Sequence, residues 1–215
     1  MMAQTWRRVA GSMAALVLVS LLAAPAAQGQ SDSSPSRTWG FVTARYSTGT
    51  SGFVFGGYGY GPAFAMIGMV NNPHSGYTEF LGGTGARFAV GPHTSHAVAL
   101  AASRATEAWY AQLYYLPTIT IGRTSTEATI QLYVPAESAG DLQFAVNPLS
   151  FLVDVGRRVA IGGTYQLSMQ EGLDTGHAAG MALRVTVPAG AITLDLLRGL
   201  SAFDDEVRLS FRAFY

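Results

Sequence analysis

Five charged residues near the C-terminal end of this 215-residue chain could do chemistry together: Arg184, Asp195, Glu206, Arg208 and Arg212. They fall on the polar sides of three successive period-two stretches, so an extended backbone presents each set on one face. Carboxylates facing guanidinium groups suit two arrangements. One is a salt-bridge network that fills an interior, because buried charges need partners. The other is a charged constriction that filters ions or small polar solutes.

Other candidates are weaker. His74, Ser75 and Glu79 are the residue types of a hydrolase triad. Adjacent His and Ser point to opposite sides of a strand, and no deacylase motif surrounds them. His93, His96 and His177 lack metal-ligand spacing, so no metal centre is read. Gly82-Gly83-Thr84-Gly85 is not a phosphate loop, because no Lys-Ser/Thr follows and no helix opens after it. It reads as a bend that interrupts Tyr77 to Val90. Tyr110, Tyr114, Tyr133, Trp109, Tyr115 and Tyr165 invite a ligand-stacking reading. Interfacial girdles with interior packing explain them more simply, and Trp39 and Tyr215 suit an interface position. No catalytic residue and no cofactor emerges.

The elements that must position these groups are strands. Val159 to Met169 alternates apolar and small or polar side chains, as do Met181 to Val187, Ala191 to Arg198 and Glu127 to Val134. Leu142, Phe144 and Val146 are out of phase with Phe151, Val153 and Val155. Asn147-Pro148 lies between them and predicts a bulge. Twelve segments are expected, at 38–46, 52–60, 63–70, 77–90, 94–103, 106–121, 126–134, 140–155, 159–169, 178–187, 191–198 and 206–215. Ten or eight strands remain the alternatives if 52–70 is partly loop or two segments form one bent strand. Tight links such as Pro188-Ala189-Gly190 mostly alternate with longer ones in the back half.

Composition narrows the class. Charged residues make up 12% of the chain, about half the usual share, and the formal net charge is zero. That balance argues against nucleic acid as a partner. The chain has no Cys, which excludes a disulfide framework and lipid attachment through cysteine. Residues 1–26 read as a secretory signal peptide: Arg7-Arg8, an apolar run from Met13 to Ala24, then Ala24-Pro25-Ala26, with cleavage as late as Gly29 an alternative. Residues 27–37 read as a flexible N-terminal segment and 38–215 as one β domain. Low charge without a spanning helix leaves an apolar secreted β-sandwich or a membrane barrel.

The last strand decides between them. Val207, Leu209, Phe211, Ala213 and Tyr215 form an apolar face against Glu206, Arg208, Ser210 and Arg212. In this pattern the chain resembles small bacterial outer-membrane β-barrel proteins, whose final strand usually ends in Phe, less often Trp or Tyr. Ala213 is smaller than the residue usual there. The resemblance implies an all-β, closed, antiparallel up-and-down transmembrane barrel. It implies that the terminal strand is an insertion signal read by the barrel assembly machinery. The expected protein is a monomer in outer-membrane lipid, exported by the general secretory route and not an enzyme. Its expected role is structural or that of a narrow passive channel for small solutes. The rivals are a barrel enzyme acting on lipid A or phospholipid, and a secreted soluble β-sandwich that binds a partner.

Overall fold

The computed structural model describes residues 38–49, 51–72, 75–106 and 108–214. The signal-peptide and N-terminal-segment readings, His74 and Tyr215 lie outside the described residues. Twelve strands follow in order: β1 (Thr38–Ser47), β2 (Gly52–Tyr60), β3 (Ala63–Asn72), β4 (Tyr77–Val90), β5 (Thr94–Ala105), β6 (Trp109–Ile121), β7 (Thr124–Pro135), β8 (Gln143–Asp154), β9 (Val159–Gln170), β10 (Gly176–Val187), β11 (Gly190–Ser201) and β12 (Glu206–Phe214). Each strand pairs antiparallel with its sequence neighbours, and β1 closes the ring on β12. Twelve is the expected number, and each strand overlaps its expected segment. A single closed barrel replaces the sandwich alternative.

Closure follows from the residues at the seam. Phe41 to Ser47 pairs with Phe214 back to Arg208 without a register shift. Beyond the ladder, Thr48 N–H donates to Val207 O at 3.1 Å and Val207 N–H to Thr48 Oγ1 at 3.0 Å. With both edges joined, no row of unpaired backbone groups is left.

Thr38 and Phe214 lie at one end of the barrel, here the terminal end. The connections there are short: 61–62, 91–93, 122–123, 155–158 and 188–189. Gly61, Gly91 and Gly122 take positive φ in the tight turns, where a Cβ would be strained. The opposite, loop end carries 136–142 and 171–175, the two longest connections.

The period-two pattern resolves into a convex and a lumenal face. Ile67, Phe80, Leu100, Ile121, Phe151, Met181, Leu196 and Leu209 are all exposed on the convex side. A contiguous apolar belt of this kind is foreign to a soluble monomer and suits contact with hydrocarbon. The bulge at Asn147-Pro148 is present. Val146 and Leu149 face Leu167 and Tyr165, so one residue of β9, Gln166, stands opposite two of β8. This inserted residue keeps Phe144, Val146, Leu149 and Phe151 all on the convex side.

Two expectations are corrected. Gly82 to Gly85 does not interrupt β4, whose register with β3 and β5 runs unbroken through it. The absent side chains make room instead: a Cβ at Gly85 would meet the Phe64 ring at 2.5 Å. Trp39 is not at the lipid interface. It points into the lumen, packs on Phe41 and Phe64 with ring centroids 6.2 and 5.7 Å apart, and donates from Nε1 to Gly61 O at 2.9 Å. Glycines on the neighbouring strand admit these rings. A Cβ at Gly57 would sit 2.2 Å from the Phe41 ring, and one at Gly59 would sit 2.3 Å from Trp39. Trp109, Tyr115 and Tyr165 do face outward, whereas Tyr110, Tyr114 and Tyr133 face inward.

This packing predicts a contrast between adjacent positions. Gly57→Leu overpacks the lumen and should lower stability by about 1–3 kcal/mol. Gly56→Ala points outward, with Phe41 O at 3.8 Å as its nearest neighbour, and should stay within about 0.5 kcal/mol. Urea unfolding in detergent micelles measures both.

Candidate functional site in the lumen

The charged side chains that period two assigns to polar faces project into the barrel. Inward positions carry five arginines (Arg45, Arg87, Arg184, Arg208, Arg212) and five carboxylates (Glu79, Glu127, Asp154, Asp195, Glu206). The chain has no lysine, so its 13 basic side chains are all guanidinium groups. These forks offer several donors in a fixed plane and suit paired, partly buried sites.

The five residues singled out above divide between two levels. At the upper level, Arg208 is 1% exposed and Glu206 is 3% exposed. Arg208 Nε donates to Glu206 Oε1 at 2.6 Å and its Nη2 to Glu206 Oε2 at 2.7 Å, a bidentate pair along one strand. Arg208 also donates to Gln166 Oε1, and at 2.7 Å to Asn147 Oδ1. Ser47 Oγ donates to Glu206 Oε1. Asp195 stands opposite Arg208 in the β11–β12 register and is buried. Arg45 reaches the same Asn147 Oδ1 at 3.0 Å.

At the lower level, nearer the terminal end, Arg184 and Arg212 do not join this knot. Both turn to Glu127, at 2.5 and 3.2 Å. The expected single cluster is thus two. Curvature explains the split: β12 and β7 are five steps apart in a ring of twelve, nearly opposite. Arg212 therefore spans the lumen to reach Glu127, and Arg45 and Arg208 span it to reach β8.

Sequence reasoning left out Arg45, Asn147 and a third group at the loop end. There Gln112 Nε2 donates to Glu79 Oε1 and to Ser103 Oγ, the latter at 2.6 Å. Tyr77 OH donates to Glu79 Oε2 at 2.9 Å, and Tyr114 OH to Gln112 Oε1. Glu79 thus belongs to a hydrogen-bonded plug. Ser75 Oγ accepts from Tyr77 N–H at 3.3 Å in the adjoining turn. Glu127, Gln131 and Gln166 were visible as polar-face residues, but their partners were not.

Access to the lumen is one-sided. Inward residues toward the loop end, among them Ser103, Gln112 and Gln166, are buried, whereas Arg87, Ala89, Thr120 and Arg212 at the terminal end are exposed. A recess of about 200 Å³ opens there, lined by Ser95, Thr118, Thr120 and His93. A water-sized cavity of about 30 Å³ lies beside Glu127 and Arg212. Among the described residues no group of His, Cys, Asp and Glu is arranged to hold a metal ion.

With this geometry in hand, comparison with solved structures is informative. The barrel is similar to the NanC porin in its rhombohedral crystal form, with a TM-score of 0.57, 8% identity and coverage of 82% of this chain and 99% of that one. It is also similar to the KdgM porin in complex with disordered oligogalacturonate, with a TM-score of 0.55, 7% identity and coverage of 82% and 98%. The fold is that of a small bacterial outer-membrane porin. No protein-family model matches the chain, and no curated protein matches it.

Burial ranks the ion pairs. Glu206→Gln strips the fully buried Arg208 of its countercharge and should cost about 3–5 kcal/mol. Arg104→Ala breaks the pair with Glu137, whose side chains are both 45% exposed, and should cost less than about 1 kcal/mol. Equal losses in urea unfolding would contradict this ranking.

Proposed function

We propose that this protein is a narrow passive channel of the outer membrane for small solutes, without enzymatic activity. The carrying observation is the lumen: entered by solvent at the terminal end and narrowing onto the Arg208 knot. This reading puts the short turns and both described strand ends on the periplasmic side and the longer loops outside, as is usual for such barrels. The apolar convex belt meets lipid. The reading includes export by the general secretory route, insertion by the barrel assembly machinery and a monomeric state. Catalysis lacks support, because Glu79 is engaged by Tyr77 and Gln112.

Balanced lumenal charge supports weak ion selectivity. The five inward guanidinium and five inward carboxylate groups cancel over the lumen as a whole, so no long stretch of one sign is left to concentrate counterions. The knot sets the size limit, since its side chains bridge opposite walls.

Two measurements test this function. In planar bilayers the wild type should give small conductance steps. The double substitution Arg208→Ser with Glu206→Gln, which removes both charges together, should enlarge them several-fold. Absence of current from both proteins would sink the channel reading and leave a purely structural barrel. For biogenesis, β12 presents Val207, Leu209, Phe211 and Ala213 outward, in keeping with an insertion signal. Deleting Tyr215 should lower the amount of heat-modifiable protein in the outer-membrane fraction, and an unchanged yield would refute that role.

A further inference from the structure

Charge balance holds for the lumen as a whole but fails from end to end. Among the described residues, the terminal half of the barrel carries six guanidinium groups against two carboxylates. Arg123, Arg157 and Arg158 are exposed in the tight turns, while Arg87, Arg184 and Arg212 point into the lumen with Glu127 and Asp154. Arg184 and Arg212 share the one carboxylate of Glu127, at 2.5 and 3.2 Å. Arg87 lies over the Trp39 ring, 3.7 Å from a centroid. Arg123 donates from Nε to a backbone carbonyl, Asp154 O, at 2.9 Å. Positive charge is thus left over at the terminal mouth.

The loop half has the opposite excess, four guanidinium groups against nine carboxylates among the described residues. Six of the nine are exposed in the connections 136–142, 171–175 and 202–205: Glu137, Asp141, Glu171, Asp174, Asp204 and Asp205. These three connections hold no Arg and no Lys. Among the described residues only Glu137 of the six is ion-paired, at 3.4 Å to Arg104.

A charged mouth gathers ions of the opposite sign and thins those of its own. The field of exposed charges reaches about 10 Å at 0.1 M salt, enough to cross a narrow mouth, and only about 3 Å at 1 M. The loop mouth therefore gathers cations and the terminal mouth gathers anions. A voltage positive on the loop side drives each ion into the lumen from the mouth that gathers it, so carriers accumulate there. The reverse voltage draws each ion from the mouth that repels it, so carriers are depleted. Resting on the channel reading, we propose that the barrel is a rectifier, passing cations from the loop side and anions from the terminal side more readily than the reverse. With the short turns in the periplasm, the favoured flow is cations inward and anions outward.

The test is the single-channel current of the purified barrel in planar bilayers of neutral lipid, at equal and opposite voltages in KCl. The chain has no cysteine, so Ser138→Cys, labelled from one chamber with a membrane-impermeant thiol reagent, reports which chamber the loop end faces. With the loop side positive, the current should exceed the reverse current about twofold or more at low salt, a ratio that a mouth potential of about one kT supports. The ratio should fall to near one at about 1 M KCl, where the fixed charges are screened. Neutralising the terminal turns with Arg157→Gln and Arg158→Gln should lower it, and so should Glu171→Gln, Asp174→Asn and Asp204→Asn at the loop end. All five side chains are exposed, so heat-modifiability of the folded band should be unchanged. Equal currents at both polarities, or rectification of the opposite sign, overturn the rectifier while leaving a channel standing. A ratio that survives high salt or both sets of substitutions overturns its assignment to the charged mouths. Absence of current at either polarity overturns both readings.

Discussion

Closure of β1 onto β12 is the constraint on which the rest of the structure depends. An extended chain satisfies half of its peptide groups on each neighbour, so an open sheet leaves two unsatisfied edges. In hydrocarbon no water answers them, and each orphaned group is costly. The ring removes both edges at once. It also forces every strand into the same division of labour, with one face toward the surroundings and one toward the axis. Low overall charge, the outward Val, Leu, Ile and Phe, and the inward Arg, Glu and Gln all follow from that division.

Once the ring is closed, its interior has to be filled or lined. This chain does so with two chemistries. Around β1–β4, aromatic rings lie over glycines, so large groups from one strand use space surrendered by the next. Around β7–β12, arginines reach across to carboxylates and amides on nearly opposite strands. Such pairs add little net stability in general, because desolvation offsets their attraction. Their effect is geometric: each strut ties two distant strands and limits the free width between them. Fully substituted guanidinium usage fits this role, because Arg keeps its charge and its planar fork when buried.

The functional reading grows from the asymmetry of this filling. Solvent reaches the terminal half of the lumen, whereas the loop half is constricted by the hydrogen-bonded group at Glu79 and by the Arg208 knot. In the proposed channel so narrow a lumen would discriminate by size more than by net charge, which is balanced over the five inward arginines and five inward carboxylates. The similarity to porins shows the fold; the particular lumen is this chain's own, since the neighbours share under a tenth of its residues.

Much of the architecture was legible from residue order alone. Period two assigned the faces of β7 and β9–β12, and the phase reversal across Asn147-Pro148 announced the bulge, because a side chain's face depends only on its place along a strand. Strand number followed from turn residues. The front half was harder: glycine-rich β2 and β4 lack the contrast between faces, so Gly82 to Gly85 looked like a break, and Trp39 looked interfacial until the glycines beneath it were seen. The site was legible as a set of inward charges but not as pairs. Arg184 and Arg212 meet Glu127 rather than Asp195 or Glu206, and Arg45 meets Asn147 at 102 residues' separation. Local alternation determines which way a residue points; which partner it reaches is set by curvature and stagger of the closed sheet, and these exist only once all twelve strands are in place.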